Sequence, residues 1–287
     1  MCAAAEHCLA VGVFDGVHLG HRKILEGASA ALTFSRHPLC VLNPSAAPKL
    51  IMPLEERIEA IRGCGVEDVR VLDFDEELAN MPAEEFASAY FGLGGKTGAV
   101  KIRCGGNWHF GRNGEGDAEW LLKRGVEVEV VPYAQYDGEA VSSSRIRRLL
   151  GEGDIQAVNA MLGRRYSISG ISVSGKGEGR KLGFPTVNIN VDSLLRRGVY
   201  EVELNGIKAI ANYGLAPTMA ENAWTKSVLE VHILTGTAPA SAGTDPLKVE
   251  FLRFIRPERK FASVDDLRRQ IAQDIASVIS GAKTTKN

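Results

Sequence analysis

Residues 9–21 of this chain read LAVGVFDGVHLGH, and the fold of the first half of the molecule depends on this stretch. The apolar run at residues 8–13 predicts a buried strand of a parallel sheet. Gly12, Asp15 and Gly16 then provide a turn, and the pattern that follows predicts a helix. A strand, a glycine-containing turn and a helix start together direct backbone N–H groups and the positive end of a helix dipole toward a phosphate group.

Two histidines stand at the predicted start of that helix. His18 and His21 are three residues apart, so both imidazoles should lie on one face of the first turn, and Gly20 leaves room between them for a ligand. Paired donors at this place suit the α-phosphate of a nucleotide, where negative charge increases during nucleophilic attack. No Walker-type lysine follows, which favours nucleotidyl transfer over transfer of the γ-phosphate. The alternative is that both are ordinary surface histidines.

Length and composition limit the classes of protein to consider. A chain of 287 residues with 45% hydrophobic residues fits one large or two ordinary domains. A net charge of −1 gives no general case for nucleic acid binding, and no run of 18 apolar residues predicts a membrane span. The start of the sequence is unlike a signal peptide. Five cysteines without Cys-x-x-Cys spacing favour reduced thiols in a cytoplasmic protein over zinc or disulfides.

The periodicity changes in the middle of the chain. Strand and helix patterns alternate in the first half, which predicts a Rossmann-like parallel sheet with ligands at the carboxyl ends of its strands. From residue 166 short strands follow one another without a helix until Ser263, which predicts a small antiparallel β-barrel domain with a C-terminal helix. The charge balance also changes from acidic to basic. We therefore expect domains at 1–160 and 161–287.

A second anion-binding segment lies near the end of the first half. Residues 141–147 read VSSSRIR, and Ser143 is the predicted N-cap of a helix. Its hydroxyl and that of Ser144 precede Arg147, whose guanidinium can bind two phosphate oxygens at once. The alternative is a simple helix cap followed by solvated arginines.

A third chemical site is predicted in the second half. Residues 175–188 read GKGEGRKLGFPTVN, in which glycines let backbone amides surround a phosphate and basic residues add charge. Thr186 and Asn188 alternate on a strand, so both oxygens can hold Mg²⁺ or its water ligands. As composition alone, the stretch also fits a flexible hairpin. The residues of the predicted phosphate loop are Gly175, Lys176, Gly177, Gly179 and Arg180.

The order of these motifs, over essentially the whole chain, resembles that of bacterial bifunctional riboflavin kinase/FAD synthetases, which are also FMN adenylyltransferases. Residues 9–21 look like the nucleotidyltransferase signature of that family. Residues 142–147 are similar to its Ser-Ser-Thr-x-x-Arg motif, with Ser144 in place of threonine. Residues 182–188 resemble the kinase motif, in which Val187 replaces the usual alanine. The resemblance implies an FMN adenylyltransferase domain at 1–160 and a riboflavin kinase domain at 161–287.

The resemblance also implies roles for individual residues. ATP and Mg²⁺ would convert riboflavin to FMN with Glu230 as general base, and ATP would then adenylylate FMN to FAD, releasing pyrophosphate. His18 and His21 would stabilise the α-phosphate transition state. On its own, a carboxylate on a barrel strand such as Glu230, in a strand that reads LEVHI, is usually a solvated residue on the outer face. The remaining residues carried over from the family are Ser143, Ser144 and Arg147 for the triphosphate, Gly12, Phe14, Asp15 and Gly16 for the nucleotide, and Asn107, Phe110, Asn212 and Arg256 for the flavin.

Two segments depart from the family pattern. Only eleven residues separate His21 from Thr33, roughly ten fewer than usual, so either the first helix is shortened or residues are missing there. Residues 235–246 lack the Asp-Leu-Tyr-Gly-like piece that follows the glutamate strand, which predicts a looser flavin lid. Two alternatives therefore stand beside the main prediction. In the first, only one module is active, and the shortened first helix favours the kinase as that module. In the second, the chain is a non-catalytic flavin- or nucleotide-binding regulator.

Overall fold

The computed structural model describes residues 7–93, 100–173, 179, 182–215, 227–234 and 246–281, with only the backbone of His7 and Val100. The chain divides between Ser143 and Ser144 into two compact units.

The first unit contains a five-stranded parallel sheet with strand order β3-β2-β1-β4-β5. Its central strand is the apolar run predicted from the sequence. Leu9 and Val11 enter the core on one face of the sheet, while Cys8 and Ala10 enter the core on the other, as expected of a strand covered on both sides. The strands are β1 (His7–Val11), β2 (Ala30–Phe34), β3 (Asp68–Leu72), β4 (Val100–Gly105) and β5 (Val128–Val131).

Six α-helices in the described part of the first unit connect and flank these strands. The first helix has only seven residues, which agrees with the expectation of a shortened helix between His21 and Thr33. Ile24 and Leu25 at its end are buried in the core beside the sheet. The helices are α1 (Leu19–Leu25), α2 (Leu39–Leu42), α3 (Leu54–Arg62), α4 (Glu76–Asn80), α5 (Ala83–Tyr90) and α6 (Ala118–Leu122). Two 3-10 turns (Pro44–Ala46, Arg112–Gly114) and a hairpin of β6 (Gln135–Tyr136) and β7 (Glu139–Ala140) complete the unit.

Two helices stand at the start of the second unit, α7 (Ser143–Glu152), whose first residue still belongs to the first unit, and α8 (Ile155–Leu162). Asn159 of α8 donates from Nδ2 to the carbonyl of Phe251 at 2.8 Å and accepts from the amide of Tyr166 at 2.7 Å. These bonds attach α8 to the strands that follow. The family-based boundary after residue 160 stays a prediction, since the division by contacts falls earlier in the chain.

The rest of this unit is a seven-stranded antiparallel sheet with order β8-β14-β11-β12-β13-β10-β9. The segment predicted as one strand, 166–173, is broken into β8, which pairs with β14, and β9, which pairs with β10. One short stretch of chain therefore pairs with both ends of the sheet and closes it into a barrel. The bend is at Gly170, where a Cβ would lie 2.5 Å from Ile189 Cγ2. The strands are β8 (Tyr166–Gly170), β9 (Ser172–Val173), β10 (Val187–Asn190), β11 (Gly198–Leu204), β12 (Ile207–Leu215), β13 (Ser227–Ile233) and β14 (Leu247–Pro257).

A long helix, α9 (Val264–Ile279), ends the described chain. Ser263 caps it, accepting from the amide of Asp266 at 3.1 Å as the sequence predicted. Val278 is fully buried in a cluster with apolar side chains of the barrel strands, and Ile275 packs against the same cluster. The predicted fold class, a Rossmann-like unit followed by an antiparallel barrel with a C-terminal helix, is confirmed.

Candidate active sites

The turn between β1 and α1 has an unusual backbone. Gly16 has φ +86°, and two residues that are not glycine, Phe14 and Val17, have φ +53° and +39°. Positive φ is uncommon for residues with side chains and rarest for β-branched ones. Such conformations cost about 1–3 kcal/mol each and persist only where the surroundings fix them. Both side chains are fully buried, so the core helps to hold this turn.

The two histidines meet directly after this turn. His18 is the N-cap of α1, and its Nδ1 accepts from the amide of His21 at 3.2 Å. The two rings are stacked with centroids 3.6 Å apart and an interplanar angle of 15°, and the ring of Phe14 meets His21 edge-on at 5.4 Å. Because Nδ1 accepts, neutral His18 carries its proton on Nε2, which is then a donor for an incoming phosphate oxygen. The prediction that both imidazoles share one face is confirmed.

The glycines around the histidines make room for aromatic rings, and for Gly20 this differs from the predicted purpose. A Cβ at Gly20 would lie 3.1 Å from Cε1 of His18, so this glycine makes room for the imidazole rather than for a ligand. A Cβ at Gly12 would lie 3.1 Å from the ring of Phe14, the side chain that contacts His21. Both glycines therefore let aromatic rings pack against the backbone of the turn.

Two predicted nucleotide-binding residues are tied to distant parts of the first unit. The buried carboxylate of Asp15 accepts from the amide of Ile51 with both oxygens, at 3.0 and 3.1 Å. The hydroxyl of Ser143 donates to the carbonyl of Asp15 at 2.9 Å. Ser143 is the first residue of α7 rather than its N-cap, so the predicted cap is wrong: its hydroxyl is used to hold the turn.

Four further residues of the predicted adenylylation site are distant from this turn in the sequence. Asn107 is exposed after β4, whereas the ring of Phe110 is buried and stacked on Trp108 with centroids 4.9 Å apart. Phe110 therefore belongs to an aromatic core. Ser144 is exposed and Arg147 half-buried on α7. Their roles in binding flavin and triphosphate stay predictions.

In the second unit, the strand register aligns the predicted kinase residues. Asn188 of β10 is opposite Glu230 of β13, which is opposite Asn212 of β12. Asn212 is opposite Val199 of β11, and Val199 is opposite Arg256 of β14. Residues directly opposite each other on antiparallel strands point to the same face with Cβ atoms about 4.5–5.5 Å apart. The predicted metal ligand, general base and flavin-binding residues thus form one row across the barrel wall.

Four residues of this row, Glu230, Asn212, Val199 and Arg256, line a cavity of about 380 Å³ in the barrel domain, within the range of small-molecule sites. Glu230 and His232 point to it, while Leu229 and Val231 are fully buried on the other face, as the alternation predicted. The polar lining includes Thr186, Asn212, Glu230, His232, Arg256 and Asp274, and the apolar lining includes Phe184, Val199, Ile210, Phe261, Leu267 and Ile271.

Thr186 and Asn188 fit a magnesium site. Oδ1 of Asn188 is buried and has no hydrogen-bond partner among the residues that the structure describes. Thr186 lines the cavity two residues earlier, and Val187 between them is buried on the opposite face. Hydroxyl and amide oxygens are hard ligands of the kind that Mg²⁺ takes together with water and phosphate oxygens. No group of three or more His, Cys, Asp or Glu residues suited to a metal occurs in the described part of the chain.

One cavity residue, Asp274, was not singled out from the sequence, and a second, His232, was predicted to share the face of Glu230 but was given no role. Asp274 of α9 is buried and binds Arg256 at 2.8 Å, which fixes the guanidinium beside the cavity. The sequence did contain a signal for a buried Asp274, because this acidic residue lies within the apolar stripe of Leu267, Ile271 and Val278. His232 lies with Nδ1 2.8 Å from the carbonyl of Pro185, which holds the segment immediately before Thr186.

The glycine-rich segment is described only in part. A Cβ at Gly179 would lie 2.5 Å from the carbonyl oxygen of Phe184, so glycine is required for the close approach of these two segments. Gly175, Lys176, Gly177 and Arg180 lie outside the described residues, as does the predicted flavin lid at 235–245. Their predicted roles stay predictions.

Comparison with known proteins matches each unit to a known family. A family model described as FAD synthetase matches residues 2–145, and one described as riboflavin kinase matches residues 162–280. The chain belongs to the bifunctional riboflavin kinase/FMN adenylyltransferase family. A member from Bacillus subtilis (strain 168) is 32% identical, covering 94% of this chain and 90% of its own length. One from Escherichia coli (strain K12) is 33% identical, covering 95% and 92%.

A solved structure supports the same fold. A protein from Streptococcus pneumoniae, described as a macrolide-efflux protein, matches with a TM-score of 0.82 and 26% identity over 96% of this chain and 95% of its own. Among the described residues of the present chain, no helix has the length and apolar character needed to cross a membrane. The predicted family, fold and enzyme class, a bifunctional transferase, are confirmed. Because both domains are present, the comparisons support neither the single-module nor the regulator alternative.

Proposed function

We propose that the second unit phosphorylates riboflavin with ATP to give FMN, and that the first unit transfers AMP from a second ATP to FMN to give FAD. The observation that supports this most strongly is the row in which Asn188, Glu230 and Asn212 lie side by side on neighbouring strands, with Glu230 and Asn212 lining the cavity. A carboxylate between two amide side chains, one with an unsatisfied oxygen, provides a base next to a metal and phosphate site.

In the kinase step, the 5′-hydroxyl oxygen of riboflavin attacks the γ-phosphorus of ATP while Glu230 takes the hydroxyl proton, and ADP leaves. Thr186 and Asn188 would hold Mg²⁺, which neutralises charge on the phosphates when it is bound. Asn212 and Arg256 border the flavin end of the cavity. The phosphate-loop residues Gly175, Lys176, Gly177, Gly179 and Arg180 would surround the nucleotide phosphates.

In the adenylyl transfer step, a phosphate oxygen of FMN attacks the α-phosphorus of ATP and pyrophosphate leaves. His18, through Nε2–H, and His21 stabilise the charge that develops on the α-phosphate oxygens. Ser144 and Arg147 bind the triphosphate, while Ser143, the third residue predicted for this role, holds the turn through its hydrogen bond to the Asp15 carbonyl. Gly12, Phe14, Asp15 and Gly16 shape the nucleotide site, and Asn107 contributes to the flavin site, whereas Phe110 lies in the aromatic core of the same unit.

The substrates are thus riboflavin, FMN and ATP, with Mg²⁺ as the metal. We place the reaction in the cytoplasm, because the described cysteines, Cys8, Cys40, Cys64 and Cys104, are all free thiols.

The test is to incubate the purified chain with riboflavin, ATP and Mg²⁺ and to separate the flavins by chromatography. We expect FMN to appear first and FAD to follow. Omitting Mg²⁺ is expected to stop the formation of both. An absence of FMN, or accumulation of FMN without FAD, would contradict the proposal for one or both units.

A further inference from the structure

A buried arginine supports the turn that carries the two histidines. Arg57 of α3 is completely buried, which is rare for a charged side chain. Its Nη1 donates to the carbonyl of Val13 at 3.2 Å, and its Nη2 donates to the carbonyl of Phe34 and, at 3.5 Å, to that of Ser35. One guanidinium therefore joins the turn after β1 to the end of β2.

The carbonyl of Val13, within this turn, accepts two side-chain hydrogen bonds. It accepts from Arg57 and also from the hydroxyl of Thr33, which is fully buried and lies 3.0 Å away. Val13 directly precedes Phe14, whose positive φ and edge-on contact place the ring against His21. Movement of the Val13 carbonyl would therefore be transmitted to the imidazole through a single residue.

The same part of the chain holds the turn at a second point. The amide of Ile51, six residues before Arg57, donates to the carboxylate of Asp15. Burial lowers the pKa of the Arg57 guanidinium, and the Asp15 carboxylate opposes that shift. A guanidinium nevertheless stays charged in a protein, so the Val13 carbonyl and the Asp15 carboxylate of the turn, together with the carbonyls at the end of β2, compensate this buried charge.

We propose that Arg57 is a positioning residue for adenylyl transfer. Arg57 itself contacts no substrate; it fixes the strained turn so that His18 and His21 stay stacked and aimed at the α-phosphate. This inference rests on the proposed role of the two histidines. A lysine cannot replace Arg57, because a single ammonium lacks the planar fork that reaches carbonyls of two separate segments.

The direct test is Arg57→Lys, with Arg62→Lys as the control, since Arg62 is exposed on the same helix. Misplacement of a catalytic group by about 1 Å can cost about 10²-fold in rate. We expect Arg57→Lys to lower kcat for FAD formation by about 10- to 100-fold with little change in the KM for ATP, because the lost interaction acts on the transition state. FMN formation by the same chain should be unchanged, and Arg62→Lys should behave as the wild type.

A second measurement separates positioning from general destabilisation. The imidazole resonances of His18 and His21, followed by NMR in the full chain, should shift in Arg57→Lys and not in Arg62→Lys. Arg57→Met should show the same shifts and a larger loss of kcat, with the folded fraction determined by urea denaturation. If this variant does not fold, the lysine variant decides.

Two results would overturn the inference. One is an Arg57→Lys variant that melts at a lower temperature but keeps wild-type kcat per folded molecule. The other is a loss of kcat with unchanged histidine resonances. Failure of the underlying function is distinguishable, because in that case His18→Ala/His21→Ala would still make FAD from supplied FMN.

Discussion

The two active sites of this chain are built in opposite ways. The adenylylation site lies on an irregular turn with positive φ at Phe14 and Val17, and it is held by side chains that come from distant parts of the first unit. The kinase site lies on regular antiparallel strands, where the register alone places Asn188 opposite Glu230. A regular sheet thus positions its catalytic groups by backbone pairing, whereas the strained turn depends on each of its supports.

This difference predicts how the two sites respond to substitution. On the strands, replacing one side chain should remove one chemical function and leave its neighbours in place, since backbone hydrogen bonds hold them. On the turn, replacing a residue that contacts no substrate should still reduce catalysis. The following experiments test this contrast.

The largest effect is expected for Glu230→Gln, which keeps the shape of the side chain but removes the base. We expect kcat for FMN formation to fall by about 10²–10⁴-fold, the usual contribution of general base catalysis. Conversion of supplied FMN to FAD should be unchanged, as measured by chromatography. Glu203→Gln, in a surface ion pair with Arg165 in the same unit, is the control and should retain both activities. Full kinase activity of Glu230→Gln would show that the base is assigned wrongly.

The next effect concerns the histidine pair. His18→Ala/His21→Ala should reduce FAD formation from FMN by about 10²–10³-fold, because transition-state donors are lost, and should leave FMN formation unchanged. His18 also caps α1, so His18→Asn separates the two roles: asparagine is a good N-cap but lacks the imidazole.

We expect His18→Asn to keep the melting temperature and lose most of the adenylylation rate. His109→Ala, at an exposed histidine of the same unit, should change neither. If His18→Asn kept the rate, capping rather than chemistry would explain the need for His18.

A smaller effect is expected at the metal site. Asn188→Ala removes the unsatisfied buried oxygen and should raise the Mg²⁺ concentration needed for half-maximal kinase activity by about tenfold, or roughly 1.4 kcal/mol. Asn190→Ala, on the same strand at an exposed position, is the control and should leave that value unchanged. Equal Mg²⁺ dependence in both variants would exclude Asn188 as a ligand.

The smallest effect is expected at a support of the turn. Thr33→Val keeps the shape of the side chain but removes the hydroxyl that donates to Val13, which should cost about 1 kcal/mol of stability and about fivefold in the rate of FAD formation. Thr33→Ser keeps the hydroxyl and should retain the rate even though it loses a buried methyl group. If the valine variant were the more active of the two, the hydrogen bond would have no part in positioning the turn.

The contrast between the sites also explains what could be predicted from the sequence. Strict alternation placed Glu230 on the face opposite Leu229 and Val231, and an apolar run covered on both faces identified β1. The pairing of β13 with β10, which the sequence did not predict, then brings Glu230 beside Asn188. In the barrel, local periodicity predicted the face on which Glu230 lies, whereas its role as a base came from the resemblance to the family.

Around the turn, local patterns were not sufficient. Arg57 lies in a helix that the spacing of its apolar residues predicts. That spacing does not indicate that the arginine is buried. The carbonyls that accept from its guanidinium belong to residues 13, 34 and 35, which are distant in the chain. The positive φ of Val17 is equally a tertiary effect. By contrast, the hairpin of β6 and β7 was missed although Asp137-Gly138 is a strong turn signal.

The most direct test of the account uses the two inactivated variants together. His18→Ala/His21→Ala and Glu230→Gln are each incubated with riboflavin, ATP and Mg²⁺, and then mixed, with FMN and FAD resolved by chromatography. The account predicts that the first variant alone stops at FMN, that the second leaves riboflavin unchanged, and that the mixture makes FAD. Formation of FAD from riboflavin by either variant alone would contradict it.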